Sequence, residues 1–274
     1  MSALDLVRAA ERELAEAGVR SPRVDAEHLV SEALGRRRAD LYARNGAVTD
    51  EERKRLRALV DRRRRREPLA YILGEWAFRN LTLSVDRRVL VPRPETEIVV
   101  ERALAAIRGV EAPRVVDVGT GSGAIALAIA DEHPGARVLG IDLSADALAV
   151  AEANRARNAL TGRVTLARTD LLHGLAGPVD LVVSNPPYVR PEELGFVDPE
   201  VRDWEPRLAL VGVGVAERLA ADAAQVLRSG GALVLECGAG QAPGLAAELG
   251  RLGYDGVAVT PDLAGIERVV EGRR

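Results

Sequence analysis

The sequence predicts a doubly wound α/β sheet preceded by a small helical bundle. Three observations lead there. The first 70 or so residues carry apolar side chains at helical spacing and no strand pattern; residues after Pro113 alternate short apolar runs with amphipathic stretches; and the first of those runs opens into Gly119-Thr-Gly-Ser-Gly123. Alternating strands and helices build a mostly parallel sheet with helices on both faces, and its ligands bind at the carboxyl ends of the strands.

Leu4, Val7, Ala10, Leu14 and Ala17 recur at helical spacing and stop at Gly18. Ser21-Pro22 places a cap and a first-turn proline ahead of Val24, Leu29, Val30, Ala33 and Leu34, and Gly35 ends that helix. Thr49-Asp-Glu-Glu52 is a capping box opening a third helix, whose apolar side is Leu56, Leu59 and Val60 and which ends before Pro68. Trp76 to Phe78 and Leu81 to Val85 read as short strands around Arg79-Asn80, a hairpin or extended linker. Pro92 and Pro94 stiffen the loop bearing Arg93, Glu95, Thr96 and Glu97, from which a helix runs to about Ile107; the loop's polar groups either cap that helix or serve a site. Strands follow at Arg114 to Asp117, Arg137 to Asp142, Arg163 to Ala167, Val179 to Ser184, Ala232 to Cys237, near Gly256 to Val259 and Arg268 to Val270. Helices are expected over Ala124 to Asp131, Ala145 to Asn158, Val215 to Leu227 and Pro243 to Leu252. The domains are therefore set at 1–70 (helical), 71–92 (β-hairpin linker) and 93–274 (the doubly wound sheet).

Composition limits the function. The 274 residues carry a net charge of −3, so no global field holds the chain on nucleic acid or anionic membrane. Residues 1–80 hold 18 basic and 14 acidic side chains, leaving −7 for the remainder. Within that part, Arg62 to Arg66 are five consecutive arginines, either a solvated helix end or a patch for an acidic or nucleic-acid partner. One cysteine, Cys237, excludes an internal disulfide framework and a multi-cysteine metal site, and three scattered histidines argue against a metal centre. No apolar run approaches a membrane span, and the acidic start lacks a signal-peptide pattern, so the chain is expected in the cytosol.

The glycine loop lets the backbone turn sharply and lets a ligand lie against it, with helix N–H groups pointing at that ligand. Gly119, Thr120, Gly121, Ser122 and Gly123 are the loop candidates. Asp142 ends the next strand nineteen residues after Gly123, where a carboxylate can accept both ribose hydroxyls of an adenosine. Gly121 to Ala126 also satisfies the dinucleotide fingerprint, which leaves a nicotinamide oxidoreductase open. Asp117 favours the amino-acid portion of S-adenosyl-L-methionine over a pyrophosphate, because a carboxylate there repels phosphate; its other reading is a strand-end hydrogen bond. Asp170 either meets the adenine amine or caps a turn.

Asn185-Pro186-Pro187-Tyr188 ends the fourth strand. Prolines lack N–H groups, so the chain leaves the ladder and the carbonyls are free to accept from a ligand. Asn185 adds an amide oxygen and Tyr188 an aromatic face, a set suited to a planar NH2 group. Two acceptors on such a nitrogen aim its lone pair at a methyl carbon and stabilise the charge that develops there. Asn185, Pro186 and Tyr188 are the candidate catalytic residues, with Pro187 completing the substrate-binding set; no metal is required.

Asp117 to Gly123 together with Asn185 to Tyr188 resembles the class I S-adenosylmethionine-dependent amino methyltransferases. Tyr71-Ile-Leu-Gly-Glu75, Val91 to Glu97, Asp203-Trp-Glu-Pro206 and Leu235-Glu-Cys-Gly238 extend the likeness over nearly the whole chain, and specifically to the peptide chain release factor N5-glutamine methyltransferases, the PrmC/HemK family. The resemblance implies transfer of a methyl group from S-adenosyl-L-methionine, leaving S-adenosyl-L-homocysteine, to the amide nitrogen of the glutamine in the Gly-Gly-Gln loop of peptide chain release factors 1 and 2. It implies that Asp117, Gly119 to Gly123, Asp142, Asp170 and Asn185 hold the cofactor, that Asn185 to Tyr188 hold the glutamine, and that the helical domain docks the release factor. The expected protein is a monomer with no direct nucleic-acid contact. Alternatives are a ribosomal-protein glutamine or an exocyclic base amine as substrate. Two departures stand out: Leu210 to Glu217 replaces the family's usual Gly-Gly-x-Asp-Gly stretch, and Gly265-Ile-Glu-Arg268 replaces Gly-Arg-x-Arg.

Overall fold

A computed structural model describes residues 2–43 and 47–274. The chain divides into two compact units. One runs to Gly74 and includes a returning segment, Asp198–Trp204; the other comprises Glu75–Val197 and Glu205–Arg274.

The first unit contains α1 (Ala3–Glu16), α2 (Pro22–Leu34), α3 (Asp40–Ala43), α4 (Asp50–Arg64) and α5 (Leu69–Leu73). Leu6, Val7, Ala10 and Leu14 of α1 are buried, as are Leu29, Val30 and Ala33 of α2 and Leu56 and Val60 of α4. Thr49 and Glu52 form the expected capping box. Gly35 ends α2 in the left-handed region at φ +59°. Ser21 makes no side-chain cap bond; Pro22 at the first turn starts α2 without it.

The arginine run divides: Arg64 and Arg65 are exposed at the end of α4, as a solvated helix end would be, while Arg62, Arg63 and Arg66 turn toward anions within the chain. Arg62 pairs with Glu67, Arg64 with Glu13 and Asp61, and Arg66 with Glu200. Arg63, only 6% exposed, binds Asp25 at 2.7 Å and Glu200 at 2.8 Å. Arg62 to Arg64 close α4, Arg65 caps it and Arg66, at φ +64°, has left it, so the five side chains point different ways; those that turn inward need anions. The run thereby holds the segment Asp198–Trp204 within the helical unit, which neither boundary drawn from sequence anticipated.

In the second unit, β1 (Glu75–Phe78) and β2 (Leu81–Ser84) form an antiparallel hairpin, with Arg79 at φ +50° in the turn. The remaining strands are β3 (Arg114–Val118), β4 (Arg137–Asp142), β5 (Val164–Arg168), β6 (Val179–Ser184), β7 (Leu227–Glu236), β8 (Asp255–Pro261) and β9 (Glu267–Arg273). They form one sheet in the order β5-β4-β3-β6-β7-β9-β8, parallel through β7 and antiparallel at β9 and β8. Helices α6 (Thr96–Ala106), α7 (Ala124–Glu132), α8 (Ala145–Arg157), α9 (Val215–Val226) and α10 (Ala242–Arg251) cover the two faces. One core lies under α6 and α7, with Leu127, Ile129, Leu181 and Val234 buried; the other lies under α9 and α10, with Leu219, Leu233, Leu249 and Val270 buried. The strand order reverses between β3 and β6, so a crevice opens at their carboxyl ends, where both signature motifs lie. Among the described residues no helix is long and apolar enough to cross a membrane.

Candidate active site

At the reversal point lies a cavity of about 440 Å³. Gly119, Thr120, Gly121 and Ser122 form one wall, Asp142 and Asp170 another, and Asn185, Pro186 and Pro187 a third. The two motifs thus share one cavity although they come from different strands.

The glycine loop is held from behind. Asp117 is fully buried, and its Oδ2 accepts from the Thr120 hydroxyl at 2.6 Å and from the Ala126 N–H at 3.1 Å. Burial pushes its carboxyl up to about 7, against the lowering effect of those two bonds. Asp117 does not form part of the cavity wall; it sets the turn from the strand side, and its Oδ1 has no partner among the described residues. Gly123, at φ +84°, also stands off the wall: an added Cβ there would meet Leu127 at 3.1 Å and Ala151 at 3.4 Å, so this glycine serves the packing of α7. Gly119, at φ +71°, has nothing within 4 Å of such a Cβ, which leaves open space beside the loop. Asn154 of α8, fully buried, donates to the Ser122 carbonyl at 2.8 Å and exchanges bonds with Ser84 of the hairpin.

Asp142 accepts from the Gly121 N–H at 2.9 Å through Oδ2 and from the Ser144 N–H at 2.9 Å through Oδ1. Each carboxylate oxygen retains acceptor capacity for a diol. Open backbone at Gly119, acceptors at Asp142 and Asp170, and a largely apolar floor including Val118, Ile125 and Ile141 fit the adenosine and amino-acid portions of S-adenosylmethionine.

The Asn185 stretch leaves β6 as the double proline requires. Ser184 is anchored by its hydroxyl to the Val118 carbonyl at 2.6 Å, which ties the ends of β6 and β3. Asn185 donates through Nδ2 to the Thr96 hydroxyl at 3.2 Å, and Thr96 donates to Glu236 at 2.7 Å. Pro92, Arg93 and Thr96, the last at the N-terminus of α6, are the residues of the stiffened loop that line the cavity. Arg93 pairs with the buried Glu205 at 2.7 Å.

Tyr188 does not line this cavity. It lies with Pro187, Glu236 and Gln241 on an adjoining one of about 290 Å³, where its carbonyl accepts from Gln241 at 3.0 Å. Burial, with Glu236 nearby, pushes its phenol up to about 12, so it stays protonated at neutral pH. Burial likewise pushes the Cys237 thiol up to about 11 and leaves it inert. No cluster of His, Cys, Asp and Glu suited to a metal occurs among the described residues.

Glu236, Asn154 and Gly212 escaped the sequence reading as site residues. Gly212 lies in the stretch that departs from the family pattern. That stretch closes the cavity: Val189 donates to the Leu210 carbonyl at 2.9 Å, Gly212 donates back to Val189 at 3.2 Å, and Val211, Gly212, Val213 and Val215 line the wall. Its glycine, without a side chain, was the only available signal.

Comparison with known proteins shows the family. Residues 5–74 match the family described as the PrmC N-terminal domain, and residues 96–197 match the methyltransferase small domain. A release factor glutamine methyltransferase of Deinococcus radiodurans is 44% identical over 100% of this chain and 99% of its own length. One from Streptomyces coelicolor is 42% identical over 98% and 96%. A methyltransferase from Pyrococcus furiosus shares the fold at a TM-score of 0.54 and 18% identity, covering 71% of this chain and 89% of that one.

Proposed function

Because the chain belongs to the family of release factor glutamine methyltransferases, we propose that it methylates the side-chain amide nitrogen of the glutamine in the Gly-Gly-Gln loop of peptide chain release factors 1 and 2. The observation carrying this reading is the single cavity walled by Gly119 to Ser122, Asp142 and Asn185 to Pro187. It gives a nucleoside-bearing cofactor and a planar amide adjacent places.

When bound, S-adenosylmethionine supplies an electrophilic methyl carbon on a sulfonium. Gly119 to Ser122 and Asp142 hold that cofactor, with Asp170 at its adenine end; Asp117 and Gly123 keep the loop in shape. The Asn185 oxygen and the Pro186 carbonyl accept the two amide hydrogens of the substrate and fix the plane of its nitrogen. An amide nitrogen is a poor nucleophile because its lone pair is delocalised. Two fixed acceptors favour the form in which positive charge builds on that nitrogen, and they do so without reorganising. Tyr188, protonated and in the adjoining cavity, contributes shape and not basicity. The helical unit is the part we assign to docking the release factor.

The test is a mass measurement on the Gly-Gly-Gln tryptic peptide of a release factor after incubation with S-adenosylmethionine. One added methyl group on the glutamine is expected with the wild-type protein, and at least a hundredfold slower addition with Asn185→Ala, on the order of what removing a transition-state hydrogen-bond partner costs. An unmodified glutamine alongside a methylated ribosomal protein or nucleic acid would refute the assignment.

A further inference from the structure

An asparagine amide has an acceptor end and a donor end of nearly the same size, so its neighbours decide which end faces a substrate. The Asn185 amide lies 3.2 Å from the Thr96 hydroxyl, and that hydroxyl lies 2.7 Å from Glu236 Oε2. A hydroxyl has one proton. Given to the Glu236 carboxylate, it leaves Thr96 only lone pairs to offer Asn185, so Nδ2 must face Thr96 and Oδ1 must turn the other way. Thr96 is 4% and Glu236 2% exposed, so water does not readily substitute for either partner.

We propose that Thr96 and Glu236 are positioning residues that set the Asn185 amide with its oxygen toward the substrate nitrogen. This inference rests on the function proposed above. Glu236 does not line the cofactor cavity; its hydrogen bond toward Asn185 runs through Thr96, while it also faces Tyr188 in the adjoining cavity. The groups facing Glu236 are Thr96, Arg268 and Arg93, which favour its ionised form, and Glu95, Tyr188 and Cys237, which sit beside it without offering a cation. Burial pushes its carboxyl up to about 7. Once protonated, Glu236 can donate to Thr96, Thr96 can donate to Asn185, and the amide can then present its NH2 end to the substrate. Turnover should therefore fall on the acid side of neutrality.

The test measures kcat, KM for S-adenosylmethionine, melting temperature and pH profile for the full chain acting on an intact release factor. Thr96→Val keeps the shape and removes the hydroxyl; Thr96→Ser restores it; Glu236→Gln keeps an acceptor oxygen that does not titrate. Expected are a kcat about ten- to a hundredfold lower for Thr96→Val with KM for the cofactor unchanged, near-normal turnover for Thr96→Ser, and loss of the acid limb in Glu236→Gln. A Thr96→Val protein that turns over like wild type overturns the inference, as does a Thr96→Ser protein equally impaired or an acid limb that survives Glu236→Gln. If wild type itself leaves the release factor unmodified, the functional reading fails. If wild type is active, Asn185→Ala inactive and Thr96→Val unchanged, only the positioning role fails.

Discussion

Gly212 offers the sharpest steric test of the site. A Cβ built on it would lie 2.8 Å from Pro187 Cγ and 2.9 Å from Val215 Cγ2, and closer still to the Pro187 carbonyl oxygen. Carbon atoms in contact sit about 3.5–4.0 Å apart, so relief requires roughly 0.7 Å or more of movement. Val215 begins α9, whose Leu219, Ala220 and Ala223 are buried, so the more movable partner is Pro187. The Pro186 carbonyl is bonded directly to the Pro187 nitrogen and shifts with it. A displacement approaching 1 Å at a positioning group costs on the order of a hundredfold in rate, and overpacking costs about 1–3 kcal/mol in stability. Gly212→Ala should therefore lower kcat on a release factor about ten- to a hundredfold and lower the melting temperature by a few degrees. Gly214→Ala is the control: Gly214 lies in the same loop at φ +67°, yet its added Cβ would meet nothing within 4 Å. That variant carries backbone strain of roughly 1–2 kcal/mol without pushing Pro187, so it should melt lower and still turn over. Wild-type kcat in Gly212→Ala, or equal loss in both variants, refutes the argument.

Glu200→Gln removes the anion that Arg63 and Arg66 share while Arg63 keeps Asp25, so the loss should be about 1–3 kcal/mol in urea unfolding of the full chain, and an unchanged midpoint would contradict the anchoring role. The buried carboxyls of Asp117 and Glu236, with ordinary values of 3.8 and 4.5, both titrate near about 7 in the folded protein, so the native state holds protons that the unfolded chain has released. The contribution of these two carboxyls to the unfolding free energy therefore falls as pH rises from about 4 to about 7, against the opposite contribution of carboxyls held low such as Glu27, so the melting temperature of Asp117→Asn relative to wild type should rise across that window.

What could be read from the sequence was what is local. Arg137–Asp142 and Val179–Ser184 have the bounds expected because each apolar run ends in a residue that cannot continue it: Asp142 followed by a capping Ser144, and Ser184 followed by Asn185 and two prolines. Strand β7 begins at Leu227, well before the expected Ala232, because Arg228-Ser-Gly-Gly231 lacks alternation and is extended only through neighbours: Leu227 pairs with Val179, and Gly231 accepts from Arg274. Nothing in the sequence near Thr96 points to Asn185, 89 positions away, or to Glu236, 140 away. The sheet brings those three together because β6 and β7 are neighbours and α6 starts above their ends.

The arginine run shows how a conspicuous pattern can encode an internal contact. A stripe meant for a polyanion would place its cations on one helix face, whereas Arg62, Arg63, Arg64 and Arg66 diverge to Glu67, Asp25, Glu13 and Glu200. A buried ion pair adds little net stability over an apolar substitute, since desolvation offsets most of the attraction. Its stronger effect is on alternatives. A returning segment that set an uncharged side chain between Arg63 and Arg66 would leave Arg66 without its anion and Arg63 with Asp25 alone, so Glu200 fixes the register of Asp198–Trp204 in the helical unit. In the catalytic unit, the buried carboxylate of Glu205 pairs with Arg93 on the cavity wall.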